Sequence, residues 1–196
     1  MIVNKITYKK LMALAGLFWF AYLIFHLFGL FYFHLGEEAF NLYYGWLNNS
    51  PIDTILRILL LLSLGFHVYI AVTRQLSNNS SIGTKYKKPY PKAVPRSVAW
   101  SGALMLLFFI IFHYFQMHEV ESVTLYKFLV DTLTKPEMII IYILGLTTIT
   151  AHLHHGLTNA FQSLGLCHKQ YNLIVSLILF VVMGGYISIP LSIWYA

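Results

Sequence analysis

Cysteine is almost missing from this chain: Cys167 is the only one among 196 residues. One thiol closes no intramolecular disulfide, and it is too little sulfur for a structural zinc site or a cysteine-bound iron–sulfur cluster within this chain. Any iron–sulfur chemistry therefore belongs to another subunit. Charge is scarce as well, at 10% of residues, and acids are the scarcer sign, with 7 Asp and Glu against 13 Lys and Arg. The formal charge of +6 does not point to nucleic acid. Its basic residues lie in short segments beside apolar runs, with no broad surface or stacking platform for such a partner. Short alternating strands are also missing, which excludes a transmembrane barrel.

What is abundant is apolar, with 58% hydrophobic and 17% aromatic residues, the composition of an integral membrane protein. Several runs exceed the roughly 20 residues that cross about 30 Å of hydrocarbon at 1.5 Å per residue. With no water to satisfy the backbone there, such spans are α-helices. The pattern predicts one all-α domain over residues 1–196, a five-helix membrane bundle with spans at about 11–34, 53–75, 96–117, 136–164 and 171–194. Lys5, Lys9 and Lys10 precede a run too long for a signal peptide and lacking a small-residue cleavage site, so the first span reads as retained.

The connections give orientation. Glu37, Glu38, Tyr43, Tyr44 and Trp46 precede Asn48-Asn49-Ser50-Pro51 and suit a helix lying in the interface. Residues 77–95 are the long polar loop, rich in turn formers and lysine. Residues 118–135 are polar and acidic and suit another interfacial turn, after which Pro136 fits the start of the fourth span. Ten basic residues fall on one side (Lys5, Lys9, Lys10, Arg74, Lys85, Lys87, Lys88, Lys92, Arg96 and Lys169) and only Arg57, Lys127 and Lys135 on the other. The positive-inside rule then predicts a cytoplasmic N-terminus and an outside C-terminus, with all seven acids on the outer side.

Four of the spans carry deep histidines. His26 lies roughly 24 Å from Lys10 and His113 roughly 25 Å from Arg96, both counted from the inner surface. His67 lies roughly 21 Å from Asp53 and His152 roughly 24 Å from Pro136, both counted from the outer surface. Two pairs at two levels, each drawn from two helices, are what two bis-histidine haems require. A lone intramembrane imidazole equally serves as a hydrogen-bond partner for a neighbouring helix. On span 4, His155 lies within 60° of the face of His152, whereas His154 lies about 200° away. Depth selects His152 as the ligand. His155 is left to hydrogen-bond a haem propionate or a polar neighbour, and His154 to pack against another helix or water. Arg74, two turns from His67, is placed for a propionate or for snorkelling to the cytoplasmic surface. Span 5 has no histidine and reads as a buttress, with Gly184 and Gly185 permitting close helix contact.

These residues resemble the dihaem cytochrome b membrane anchor of bacterial succinate dehydrogenase and fumarate reductase (succinate:quinone oxidoreductase, complex II). The resemblance is carried by Ala15-Gly16 and Phe25-His26-Leu27, Gly36-Glu37-Glu38-Ala39-Phe40-Asn41, His67-Val68-Tyr69, and Pro95-Arg96-Ser97 with Trp100-Ser101-Gly102 and His113. Its most specific stretch is His152-Leu153-His154-His155-Gly156 with Ala160-Phe161-Gln162-Ser163-Leu164-Gly165. It implies two haems b, with His26 and His113 ligating the outer and His67 and His152 the inner one. It also implies an iron–sulfur subunit and a flavoprotein docked on the cytoplasmic face, a bacterial inner-membrane location, and a quinone substrate, commonly menaquinone. Glu37, Glu38, Asn41 and Tyr44 lie on the outer-haem side and are candidates for quinone contact, or else residues of a solvated interfacial helix. The lysines of residues 85–92 are candidates for subunit docking or for anionic lipid. Two departures stand out. Leu30-Phe31 occupies a place where similar chains often carry Asn, and Thr150 stands where some fumarate reductases carry an acid implicated in proton transfer.

Two other readings remain open on sequence. One is a cytochrome b subunit of a different membrane oxidoreductase, although several of those place two ligands on one helix about four turns apart, a spacing no span here shows. The other is a haem-free transporter or proton conductor that uses its histidines directly.

Overall fold

The computed structural model describes residues 5–80, 96–118, 120–166 and 170–195. Helices occupy nearly all of them, and no strand forms among the described residues. The chain runs through α1 (Lys5–Phe31), a 3-10 turn (Tyr32–Leu35), α2 (Glu37–Asn48), α3 (Pro51–Ser80) and α4 (Arg96–His118). A second 3-10 turn (Ser122–Thr124) leads into α5 (Leu125–Leu133), α6 (Pro136–Ser163) and α7 (Tyr171–Tyr195). The candidate membrane spans are Thr7–Leu35, Pro51–Arg74, Trp100–His118, Pro136–Ser163 and Tyr171–Tyr195. They coincide with the five expected spans, and the protein is accordingly a multi-pass α-helical membrane protein. Helix α3 continues beyond Gln75 to Ser80, into the start of the expected polar loop. The rest of that loop with its lysines, together with Glu119, Cys167, His168 and Lys169, lies outside the described residues.

Local sequence sets the helix ends. Pro136 occupies the first turn of α6, where its missing N–H would have had no helical acceptor. At the other end of α6, Gly165 adopts φ +80°. Its N–H reaches the Gln162 carbonyl at 3.2 Å, and the Leu166 N–H reaches Phe161 at 2.8 Å. This Schellman pair closes the last turn and uses a conformation that glycine reaches at little cost. Asp53 in the first turn of α3 pairs with Arg57 at 2.7 Å, one turn along.

The tightest packing joins α1, α6 and α7. Leu27, Leu153, Leu157, Val175, Leu179, Val182 and Met183 form one buried cluster there. Gly185 brings α7 close to α1, since a Cβ at that position would stand 2.9 Å from Leu27 Cδ2. Gly184 faces open space, so only one of the two adjacent glycines serves close helix contact. Helix α3 packs on α1, and α4 packs on α6. Neither α1 with α4 nor α3 with α6 is a closely packed pair among the described residues. Large apolar side chains such as Phe28, Leu62, Phe115 and Phe180 remain exposed around the outside, the surface a lipid-facing bundle presents.

One end of the bundle is capped. Helices α2 and α5 join around Phe33, Phe40, Leu125, Leu129, Leu133 and Ile189. Asn41 Oδ1 accepts the Tyr126 N–H at 3.0 Å, Asn48 Nδ2 donates to Ser122 Oγ at 2.9 Å, and Trp194 Nε1 donates to the Leu133 carbonyl at 3.0 Å. The segment expected to hold a second interfacial turn thus contains a 3-10 turn and a helix of nine residues. Both polar connections that were assigned to the outer side meet at this end.

Gly36 turns the chain into this cap at φ +99° and ψ 174°, a region essentially reserved for glycine. A Cβ there would touch nothing within 4 Å, so substitution carries backbone strain without a clash. Gly36→Ala is expected to lower stability by about 1–3 kcal/mol, read as a lower thermal unfolding midpoint in detergent. An unchanged midpoint would show that the turn is not constrained.

Candidate functional site

Helices α1 and α4 both end at the capped end, and His26 and His113 each lie five residues before the last residue of their helices. The two therefore share a level roughly 8 Å below the helix ends. Helices α3 and α6 start at the same end, and His67 and His152 each follow the first helical residue by sixteen positions, roughly 24 Å down. The rings meet across the helices that do not pack closely. The centroids of His26 and His113 are 6.1 Å apart with ring planes at 63°, and those of His67 and His152 are 6.3 Å apart at 66°. All four rings are half-buried. Each pair draws on one helix of the α1–α6 seam and one flanking helix, so the seam supports both.

Such a spacing suits a metal between the rings. Two imidazoles on opposite sides of one iron, with metal–nitrogen bonds of about 2.0 Å, have centroids roughly 6.3 Å apart. A second observation points the same way. Buried polar atoms are nearly always hydrogen-bonded, yet His67 Nδ1 is buried and lacks a hydrogen-bond partner. The Met12 backbone lies near the His67 ring, but no hydrogen bond of good geometry reaches Nδ1. Gly16 leaves room for this ring: a Cβ there would lie 3.7 Å from His67 Cε1. The residues present therefore fit two bis-histidine haems.

The walls around the pair nearer the cap are aromatic. Tyr22, one turn before His26, stacks on it at 5.9 Å and 6°, and Tyr186 of α7 lies at 6.0 Å with its hydroxyl donating to the Leu23 carbonyl at 2.7 Å. Phe109 stacks on His113 at 5.9 Å and 12°. Tyr142 stands edge-on to both Phe109 and His113, and its hydroxyl lies 3.2 Å from His113 Nδ1. Tyr22, Tyr142 and Tyr186 went unremarked in the sequence, although each lies on a helix that carries or supports one of the four histidines.

The three histidines of α6 diverge. Only His152 meets a ring of another helix bearing a deep histidine. His155 Nε2 accepts from Asn159 Nδ2 at 2.9 Å on its own helix, and His154 Nε2 lies 3.4 Å from Ser176 Oγ of α7. The polar neighbour of His155 is thus on its own helix, and that of His154 is on α7. Arg74 reaches across to α1, with Nη1 4.0 Å from Met12 Sδ, on the side that the His67 ring also faces. Thr150 bonds back to the Leu146 carbonyl at 2.6 Å. His34 Nε2 meets Ser188 Oγ at 2.9 Å, and the exposed His118 lies against Tyr114.

The remaining candidates lie in the cap. Glu37 and Glu38 are exposed, and Glu37 pairs with Lys127 at 3.6 Å. Asn41 uses its side-chain oxygen to hold the start of α5. Tyr44 turns inward: its hydroxyl would lie 3.0 Å from a Cβ on Gly29, and its ring packs on Phe40 at 4.7 Å. Burial, followed by the neighbouring Tyr43, pushes its phenol far above the usual tyrosine range, so Tyr44 keeps its proton and remains a hydrogen-bond donor.

Comparison with protein families, with curated proteins and with solved structures finds no match to this chain. The arguments for its function are therefore those of its own residues and geometry.

Gly145 of α6 offers a direct check on the wall of the site. A Cβ there would stand 2.5–2.6 Å from the Phe109 ring, and the ring edge has no flexible tip with which to yield. Gly145→Ala is expected to cost about 1–3 kcal/mol through overpacking. Phe109→Leu in the same chain is expected to recover much of that loss, so that the two changes are not additive. Additive unfolding midpoints would show that this contact does not shape the α4–α6 seam.

Proposed function

We propose that this chain is the membrane-anchor cytochrome b subunit of a succinate:quinone oxidoreductase, holding two haems b and passing electrons between a partner iron–sulfur subunit and a membrane quinone. The observation that carries the reading is the double pairing: four helices bring two histidine couples to two levels, each at the spacing of a bis-histidine iron. A cytochrome that places two haem ligands on one helix about four turns apart is not favoured by this arrangement, since His26, His67, His113 and His152 lie on four different helices. When bound, each haem supplies a one-electron carrier at its own depth.

The protein's part is to hold, seal and tune. His26 with His113, and His67 with His152, would hold the two groups, each residue contributing one imidazole nitrogen. The two levels differ by roughly 16 Å along the helix axes. The α1–α6–α7 cluster around Leu27, Leu153 and Leu157 excludes water from the seam between them. Arg74, on the α1-facing side of α3 two turns from His67, is the cation suited to a propionate of the inner group. His155 is already bonded to Asn159 and is the weaker candidate for that role.

We assign the capped end to the outside of the bacterial inner membrane and the N-terminus to the cytoplasm, in keeping with the Lys and Arg distribution. The iron–sulfur subunit and its flavoprotein then dock at the opposite end, nearer His67 and His152. Quinone, with menaquinone the leading candidate, is assigned to the capped side. Of the four candidates there, Tyr44 is the best donor to a quinone oxygen because it is protonated and turned inward. Glu37 and Glu38 are exposed for proton exchange with water, while Asn41 is occupied in holding α5.

The test is substrate-driven. In membranes containing the intact complex, succinate should reduce a b-type absorbance and fumarate should reoxidise it, and both responses should be lost when His67 or His152 is replaced by Ala. A b-type absorbance indifferent to both acids would assign the chain to a different oxidoreductase. No such absorbance at all would favour a haem-free role for the histidines.

A further inference from the structure

Resting on the haem reading, we propose that Gln116 and Tyr142 form a relay that fixes the proton of His113 on Nδ1 and presents its Nε2 to the iron of the pair nearer the capped end. The order of donors follows from three contacts. Gln116 Nε2 is directed at Met138 Sδ at 3.8 Å, which leaves Gln116 Oε1 to accept the Tyr142 hydroxyl at 2.7 Å. A phenol has one hydrogen, and it is used there. Towards His113 Nδ1, at 3.2 Å, the Tyr142 oxygen can then only accept. The imidazole proton therefore sits on Nδ1, and the lone pair sits on Nε2.

Helix periodicity builds this relay into the seam. Phe109, His113 and Gln116 follow one another at four- and three-residue steps on α4, and Met138, Tyr142 and Gly145 do the same on α6. Phe109 stacks on His113 and is admitted by Gly145, so the ring has a wall on one side and the phenol on another. The inner pair is built differently: His67 Nδ1 is buried with no hydrogen-bond partner. The two levels thus differ at Nδ1, with Tyr142 beside that of His113 and no hydrogen-bond partner at that of His67.

An acceptor on the outer N–H of a ligating imidazole raises the basicity of the bound nitrogen. A more basic ligand favours the oxidised, more highly charged iron, so Tyr142 lowers the potential of one of the two haems. Tyr142 and Gln116 are positioning residues here, acting through His113.

Potentiometric titration of the complex, purified from its membranes with its bound subunits and with haem content measured alongside, tests the relay. Tyr142→Phe is expected to retain both haems and to raise the potential of one. The expected change in the ratio of oxidised to reduced form is about tenfold, or ~59 mV for one electron, and the other haem should not move. Gln116→Leu keeps the phenol and should shift the same haem in the same direction by less. Should Tyr142→Phe lose a haem, Gln116→Leu decides on the same criterion. Unmoved or lowered potentials with both haems retained would overturn the relay and leave the haem reading standing. A wild-type complex without haem would overturn both.

Discussion

Close packing of α1 on α6 is the constraint on which the rest of the bundle depends. With α7 it forms a dry core from Leu27, Leu153, Leu157, Val175 and Leu179. Because α3 leans on α1 and α4 leans on α6, the crossed pairs α1–α4 and α3–α6 are kept from closing. Only side chains bridge those two gaps, and at each a histidine from one helix meets a histidine from the other. A polar ring at this depth is costly without a partner, so the gaps and the rings are matched features. If α4 packed directly on α1, or α3 on α6, the imidazoles would lose the separation that suits an iron between them.

The two levels are unlike in their surroundings. The pair near the cap is walled by Tyr22, Phe109, Tyr142 and Tyr186 and tied to Gln116 through one phenol. The deeper pair faces a glycine, Gly16, and the backbone near Met12, with Arg74 reaching the same side of α1. In the proposed haem reading the ligands would be histidines at both levels, and hydrogen bonding and local charge would be the levers left for setting two different potentials. The cap adds a further asymmetry, since α2 and α5 cover one end with aromatic packing and Tyr44 inside it.

The long apolar runs made the five spans legible, because a membrane leaves the backbone little choice but helix. Counting 1.5 Å per residue from a charged or proline anchor was enough to put His26 with His113 and His67 with His152 on shared levels. Depth set His152 apart from His155, and the 100° step per residue set it apart from His154, about 200° around the helix. The nine-residue α5 was harder to read, because its apolar residues alternate with Lys127, Asp131 and Thr132 in a segment whose composition also suits a loop. The tyrosines were invisible for a different reason. In a chain with 14 Tyr and 15 Phe, an aromatic that hydrogen-bonds a histidine looks like any other interfacial or lipid-facing ring until helix packing is known. The same holds for Gly145 and Gly185, whose roles depend on which neighbour approaches.

The central claim is that one chain carries two separate histidine couples, each completed by one haem. The haem-to-chain ratio of the purified protein, determined for the wild type and for single His→Ala variants at His26, His67, His113, His152 and His155, tests it most directly. The ratio should be two, falling to one for His26, His113, His67 or His152, with the first two variants losing the same haem and the last two losing the other. A wild-type ratio of zero, or a His152→Ala chain that keeps both haems while His155→Ala loses one, would contradict the account.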